Sequence, residues 1–161
     1  FEYLNIDDKA IGWLEIFENL IITRTFSKAY GLAGLRVGYS ICNSKISDYI
    51  NRVREPFNVN NIAQVAAIAA LSDIDFLQES VNINNDGSKQ LVDGFKLLDL
   101  KYIPSFANFI AVKFNDALQT YNDLLREGVI VRPVEMSNYL RISIGTAKEN
   151  EHLLSALKKI L

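Results

Sequence analysis

One lysine, Lys28, stands between two hydroxyl-bearing residues and a glycine-rich stretch that carries an arginine. The run from Ile22 to Tyr39 reads ITRTFSKAYGLAGLRVGY. Thr25, Ser27 and Arg36 are residue types that hold a phosphate: hydroxyls donate hydrogen bonds, and the guanidinium offers a planar two-pronged fork. Gly31, Gly34 and Gly38 permit tight turns and close approach of backbone to a ligand. A lysine amine desolvated beside other cations loses proton affinity and becomes a nucleophile suited to Schiff-base chemistry. The spacing G-x-x-G-x-x-x-G is not a dinucleotide fingerprint, and Lys28 precedes all three glycines, which excludes a Walker loop. A lysine that is merely solvated in a loop is the competing reading of the same residues.

The flanking pattern has to supply a frame for these side chains. Ile11, Leu14 and Phe17 recur at helical spacing and predict a short amphipathic helix. Leu20 to Thr25 is rich in β-branched residues and predicts a buried strand running into the Ser27–Lys28 loop, with a second strand over Arg36 to Cys42. Asn43 or Ser44 caps a helix that runs to about Val53, and Pro56 interrupts the pattern after it. Asn61 to Leu71 is alanine-rich and apolar nearly all round, which predicts a deeply buried helix.

A capping pattern at Ser72-Asp73-Ile74-Asp75 opens a long helix expected from about Asp73 to Leu98, with Gly87 and Gly94 as points where it can bend. Beyond Lys101 the pattern changes: FIAVKF reads as a strand, DALQTYNDLLREG as a helix stopped by Gly128, and VIVRP and YLRISI as further strands. Thr146 and Glu149 form a capping box at the start of the last helix.

Composition narrows the function classes. The 161 residues are 49% hydrophobic and 22% charged, which fits a globular chain with an ordinary core. A net charge of −2 provides no basic field for nucleic acid or an anionic membrane surface. The lone Cys42 excludes an internal disulfide and suits a reducing compartment, so a cytoplasmic location is expected. No apolar run approaches the roughly 18 residues of a membrane span. A chain opening Phe1-Glu2-Tyr3-Leu4 is expected to be a piece of a longer polypeptide.

The segment RTFSKAYGLAGLRVGY resembles the cofactor-lysine segment of the fold-type I aminotransferases, which use pyridoxal 5′-phosphate, and in wording it is most similar to the histidinol-phosphate aminotransferase branch. Ser27, Lys28, Gly31, Leu32, Ala33, Gly34, Leu35, Arg36 and Gly38 match its S-K-x-x-G-L-A-G-L-R-x-G pattern without a gap. The blocks VREPFNVNNIAQVAAIAAL and GVIVRP followed by YLRISIGTAKENEHLLSAL resemble the same branch, so the likeness extends over essentially the whole chain.

The resemblance implies an α/β fold. Residues 1–71 would be the end of a large cofactor domain, 72–100 a connecting helix, and 101–161 a small α+β domain. It implies that Lys28 forms the Schiff base with the cofactor and moves the substrate proton. Thr25, Ser27 and Arg36 would hold the cofactor phosphate. Arg141 would bind the anionic end of the substrate, Arg132 would act in the same region, and Asn108 would lie near the mouth of the site. The implied reaction moves an amino group between histidinol phosphate, or a similar amine, and 2-oxoglutarate in a homodimer.

Three alternatives stay open: an aromatic aminotransferase, a threonine-phosphate decarboxylase, or a non-catalytic dimerisation or phosphate-binding fragment. The family also places a glycine-rich loop and an aspartate that pairs with the pyridine nitrogen upstream of the point matched by Phe1. The chain by itself is therefore expected to transaminate poorly.

Overall fold

The computed structural model describes residues 2–4 and 9–161. The chain divides into two compact units, one ending at Gln78 and the other running from Glu79 to Leu161. Among the described residues no helix is long and apolar enough to cross a membrane.

In the first unit the expected helix around Ile11 is a single turn, α1 (Lys9–Gly12), followed by a 3-10 turn at Trp13–Glu15. Ile11, Trp13, Ile16 and Phe17 are exposed, so no buried face exists to extend it. Strands β1 (Ile21–Thr25) and β2 (Gly38–Cys42) pair antiparallel, with a register from Ile21↔Cys42 to Thr25↔Gly38. The second strand starts later than expected. Arg36 adopts a left-handed backbone (φ 53°) at the end of a 3-10 turn over Ala33–Leu35, outside the extended region of a regular strand.

Helix α2 (Ser44–Val53) is capped by Asn43, whose Oδ1 accepts the Ile46 N–H at 2.9 Å. Asn60 does the same for α3 (Asn61–Ser72), accepting from the Ala63 N–H at 2.8 Å. The expectation that α3 is deeply buried is corrected here. Only the small stripe Ala63 and Ala67 packs, against Phe26 and Val37, while Ile62, Val65, Ile68 and Leu71 are exposed. The strand β1 is likewise only half-buried, with Ile21 exposed.

Helix α4 (Ile74–Leu97) is unbroken through Gly87 and Gly94. Asp73, rather than Ser72, caps it by accepting the Phe76 N–H at 3.0 Å. From Glu79 onward it belongs to the second unit. There β3 (Lys101–Ile103), β4 (Phe109–Lys113), β5 (Arg132–Pro133) and β6 (Tyr139–Ser143) form an antiparallel sheet in the order β3-β4-β6-β5. The strand β3 was not expected, and β5 keeps only two residues of the VIVRP segment. Helix α5 (Ala117–Arg126) follows β4, and α6 (Ala147–Ile160) closes the chain behind the Thr146–Glu149 capping box.

Period-2 alternation sends Ile110 and Val112 of β4 and Leu140 and Ile142 of β6 to one face. They meet Leu91 and Phe95 of α4, Leu124 of α5, and Leu153 and Leu157 of α6 in a core of thirteen buried residues. The α4 glycines serve this packing. A Cβ at Gly87 would lie 2.7 Å from Ile144 Cγ2 and 2.9 Å from the Gly145 carbonyl, and one at Gly94 would meet the Leu154 side chain. They are close-approach positions rather than hinges.

Candidate active site

The lysine loop is built by the β1–β2 pair. Because Thr25 faces Gly38 across the ladder, the connection 26–37 is closed at its base, and Thr25, Ser27, Lys28 and Arg36 all sit on or at the end of it. Gly38 is required there: a Cβ would lie 2.7 Å from the Arg24 carbonyl oxygen. The base is tightened by the Phe26 N–H donating to the Val37 carbonyl at 3.3 Å.

The apolar residues of the loop turn inward and hold it. Phe26, Ala29 and Val37 are buried, and the Phe26 ring lies 5.0 Å from Tyr30 and 5.5 Å from Tyr39, centroid to centroid. Burial raises the Tyr30 phenol above its ordinary value, helped by the negative charges of Glu2 and Tyr39 and opposed by Arg24.

The polar residues are left outward. Thr25 and Ser27 are half-buried and Lys28 and Arg36 are exposed. Thr25 Oγ1 accepts the Ser27 N–H at 3.0 Å, which orients the hydroxyl toward the loop. The chain then turns tightly: Gly31 N–H donates to the Lys28 carbonyl at 2.9 Å, with Gly31 at φ 72°. A left-handed backbone at a non-glycine residue costs of order 1–3 kcal/mol, and Arg36 is such a residue. Its side chain is steadied by one bond, from Nη1 to the Ala33 carbonyl at 2.8 Å, which leaves most of its fork uncommitted. The Lys28 amine makes no hydrogen bond or ion pair among the described residues. The result is an exposed lysine, two half-buried hydroxyls and a guanidinium on one anchored loop, a donor set for a phosphate; the desolvation expected to make Lys28 a nucleophile is not supplied by this loop itself.

A cleft of about 1150 Å³ lies in the same unit between Phe26, Gly38 and Tyr39 on one side and Phe57, Gln64 and Ile68 on the other. None of Thr25, Ser27, Lys28 and Arg36 lines it. The loop, and not the cleft, carries the four candidate side chains.

The second unit holds the other candidates. Arg132 and Arg141 are direct partners across β5 and β6, and like charges placed opposite each other repel. The Arg141 guanidinium lies 4.3 Å over the Phe109 ring, and its Nε is buried without a hydrogen-bond partner. An anion between the two arginines would answer both deficits. Asn108, half-buried, directly precedes β4, and its backbone carbonyl accepts the Ile144 N–H at 2.9 Å, tying it to the end of β6.

Phe109 is the residue that sequence reasoning missed. Its signal was the register: Ala111 pairs with Arg141, which makes Phe109 the diagonal neighbour two positions along, within reach of a long side chain.

Comparison with known proteins bears on these arrangements. The model of a family described as Aminotransferase class I and II matches residues 5–157. The histidinol-phosphate aminotransferase of Methylobacillus flagellatus is 49% identical over 165 residues, covering 99% of this chain and 45% of that protein. The crystal structure of the histidinol-phosphate aminotransferase from Clostridium acetobutylicum superposes with a TM-score of 0.87 at 25% identity, over 96% of this chain and 50% of that one. The enzyme of the same name from Sinorhizobium meliloti, solved in complex with pyridoxal-5′-phosphate, gives a TM-score of 0.78 at 31% identity, over 88% of this chain and 41% of that one. The chain thus spans about half the length, or less, of the relatives it matches. The mixed α/β fold expected from the sequence is the fold these structures share with it.

Proposed function

The chain belongs to the class I and II aminotransferases, and from that premise we propose that it carries the lysine, the phosphate-holding residues and the substrate-anion residues of a pyridoxal-phosphate-dependent aminotransferase. The substrates proposed for the full-length protein are histidinol phosphate as amino donor and 2-oxoglutarate as acceptor. The observation that supports this most strongly is the Lys28 loop. Its amine has no partner among the described residues, and the loop is held between the Thr25↔Gly38 pair and the buried Phe26 and Val37.

The residues present fit the cofactor's reactive end. Thr25 and Ser27 offer hydroxyl donors, Arg36 offers uncommitted guanidinium donors, and Lys28 offers a free amine. Pyridoxal phosphate, when bound, supplies the electron sink that lets a substrate Cα–H bond break. Everything else falls to the chain. Thr25, Ser27 and Arg36 hold the phosphate and so fix the position of the reacting carbon. Lys28 takes the proton from the substrate Cα and returns it, general acid–base work that requires the amine to be positioned and free. Arg141, backed by Phe109 and opposed by Arg132, receives the anionic end of the substrate, a carboxylate in one half-reaction and a phosphate in the other. Asn108 borders the same strand end.

The division into a large-domain end (1–71), a connecting helix (72–100) and a small domain (101–161) is part of this proposal. So are a homodimeric assembly and a cytoplasmic location.

The test uses the full-length protein. Borohydride reduction in the presence of pyridoxal phosphate, followed by peptide mass mapping, should label Lys28; labelling at a different lysine would overturn the assignment. Lys28→Ala should abolish turnover while leaving the phosphate-holding residues intact. Arg36→Ala should instead weaken cofactor binding about tenfold to a hundredfold, the worth of one charge-assisted hydrogen bond to phosphate. Turnover profiles with aromatic amino acids and with threonine phosphate decide the substrate; a preference for either would replace histidinol phosphate in the reading above.

A further inference from the structure

Asn150 is 2% exposed, buried near the start of α6 in the second unit. Its amide clasps both backbone groups of Gly145: Oδ1 accepts the Gly145 N–H at 3.0 Å, and Nδ2 donates to the Gly145 carbonyl at 3.1 Å. The same Nδ2 donates to Gln90 Oε1 at 3.1 Å and reaches the Gly87 carbonyl at 3.5 Å, both on α4. Gln90 Nε2 in turn donates to the Ala147 carbonyl at 3.0 Å. Gly87 is bare of a side chain where this network crosses, since a Cβ would stand 2.8 Å from Asn150 Nδ2.

Joining two helices does not need such a residue; an apolar side chain would pack α6 on α4 without placing an amide in the core. What the amide adds is a fixed position for residue 145, two residues beyond the end of β6 and four beyond Arg141. Ile144, between them, donates to the carbonyl of Asn108, so holding Gly145 also holds the segment that carries Asn108. The capping box adds a third hold, as the Thr146 N–H donates to Glu149 Oε2 at 2.8 Å. An arginine that recognises an anion must be held to about half an ångström by the groups behind it. Arg141 has only a ring face beneath its guanidinium and no hydrogen-bond partner at Nε.

We infer that Asn150 is a positioning residue for substrate binding: by clamping Gly145 to α4 it sets the end of β6 and with it Arg141 and Asn108. The inference rests on the reading of Arg141 as the binder of the substrate's anionic end, and the test separates the two.

In the full-length protein, kcat and KM for histidinol phosphate and 2-oxoglutarate are measured for Asn150→Ala, Arg141→Gln and the double variant, with the melting temperature of each. Asn150→Ala should raise KM for both substrates about tenfold, the size of one weakened charge-assisted contact, with kcat within about twofold. In the Arg141→Gln background it should raise KM much less, because the effect runs mainly through the Arg141 contact. A lower melting temperature with unchanged KM would make Asn150 a structural residue only and overturn the inference. So would a KM increase that persists undiminished in the Arg141→Gln background. If Arg141→Gln itself leaves KM unchanged, the reading of Arg141 fails; if it raises KM and Asn150→Ala does not, only the positioning role fails. Should Asn150→Ala not fold, Gln90→Ala removes the outer arm of the same network. It should raise KM about threefold, a part of one hydrogen bond's worth, and an unchanged KM would overturn the inference.

Discussion

The two units of this chain are packed to different standards. The second closes thirteen buried residues between one sheet and three helices, with Phe95, Leu91 and Leu157 wholly withdrawn from solvent. Among the described residues, the first has a core cluster of just four, Phe26, Val37, Ala63 and Ala67, and leaves Ile62, Val65, Ile68 and Leu71 of α3 in the open. Yet the first unit carries the lysine loop. The loop is held locally, by a strand pair and a few aromatic contacts, while Arg141 lies on a strand backed by a complete core. Rigidity at Lys28 comes from hydrogen bonds between near neighbours and from Gly38 pressed against Arg24; rigidity at Arg141 comes from distant elements converging.

The largest effect that can test this contrast is a core truncation. Phe95→Ala should destabilise the second unit by about 3–5 kcal/mol, because a closed core cannot collapse around the space left. Phe26→Ala should cost the first unit only about 1.5–3 kcal/mol, the burial of one side chain with little cavity penalty. Urea denaturation followed by separate probes of each unit would show it. Equal losses would break the comparison.

A smaller effect is expected at the strand pair. Gly38→Ala forces a Cβ to within 2.7 Å of the Arg24 carbonyl. Backbone must move, at a cost of about 1–3 kcal/mol. Amide hydrogen exchange should report the opening as faster exchange at Phe26, whose N–H bonds to the Val37 carbonyl, with the β4 and β6 amides unaffected.

Next is the capping box of α6. Thr146→Ala removes the side-chain oxygen that accepts the Glu149 N–H and should cost about 0.5–2 kcal/mol. Thermal melting of the second unit would register it, and the first unit should not respond.

The smallest effects are in pH dependence, and they have opposite directions in the two units. Hydrogen bonds from the Thr146 backbone and hydroxyl lower the Glu149 carboxyl below its ordinary value of 4.5. Its contribution is therefore complete above pH 4.5 and lost as pH falls through the depressed folded value. Burial raises Tyr30 above 10.0, so its contribution is complete below pH 10.0 and lost as pH rises through the raised value. Glu149→Gln should flatten the acid limb of stability and Tyr30→Phe the alkaline limb. A pH titration of melting temperature that assigned either limb to the other unit would contradict the contrast.

How much of this was legible in the sequence follows the range of the interactions. Asn43 as a cap of α2, Thr146 with Glu149 as a box, and Gly128 at φ 77° after α5 are settled within three or four residues of themselves. Local hydrogen bonding and steric rules act at that distance, so residue types suffice. The lysine loop was legible for the same reason. Thr25, Ser27, Lys28 and Arg36 need only one strand pair to share a connection, and Gly38 marks where that pair closes.

What depends on distant partners was not legible. Helix α3 is apolar nearly all round, which says that it can be covered on every side but not which side will be. Its packing on Phe26 and Val37 through Ala63 and Ala67 was decided by where the hairpin lies. Gly87 and Gly94 looked like weak points in a long helix, and only the approach of Ile144, Asn150 and Leu154 makes them packing positions. Arg132 opposite Arg141, Phe109 beneath a guanidinium, and Asn150 reaching Gly87 and Gln90 of α4 all depend on register and on elements far apart in the chain. The sequence alone determined which residues could do chemistry and where helices begin and turns form, because those are short-range properties of residue type. The tertiary structure decided which of those residues are held and by what, because burial and cross-strand pairing exist only once distant segments have met.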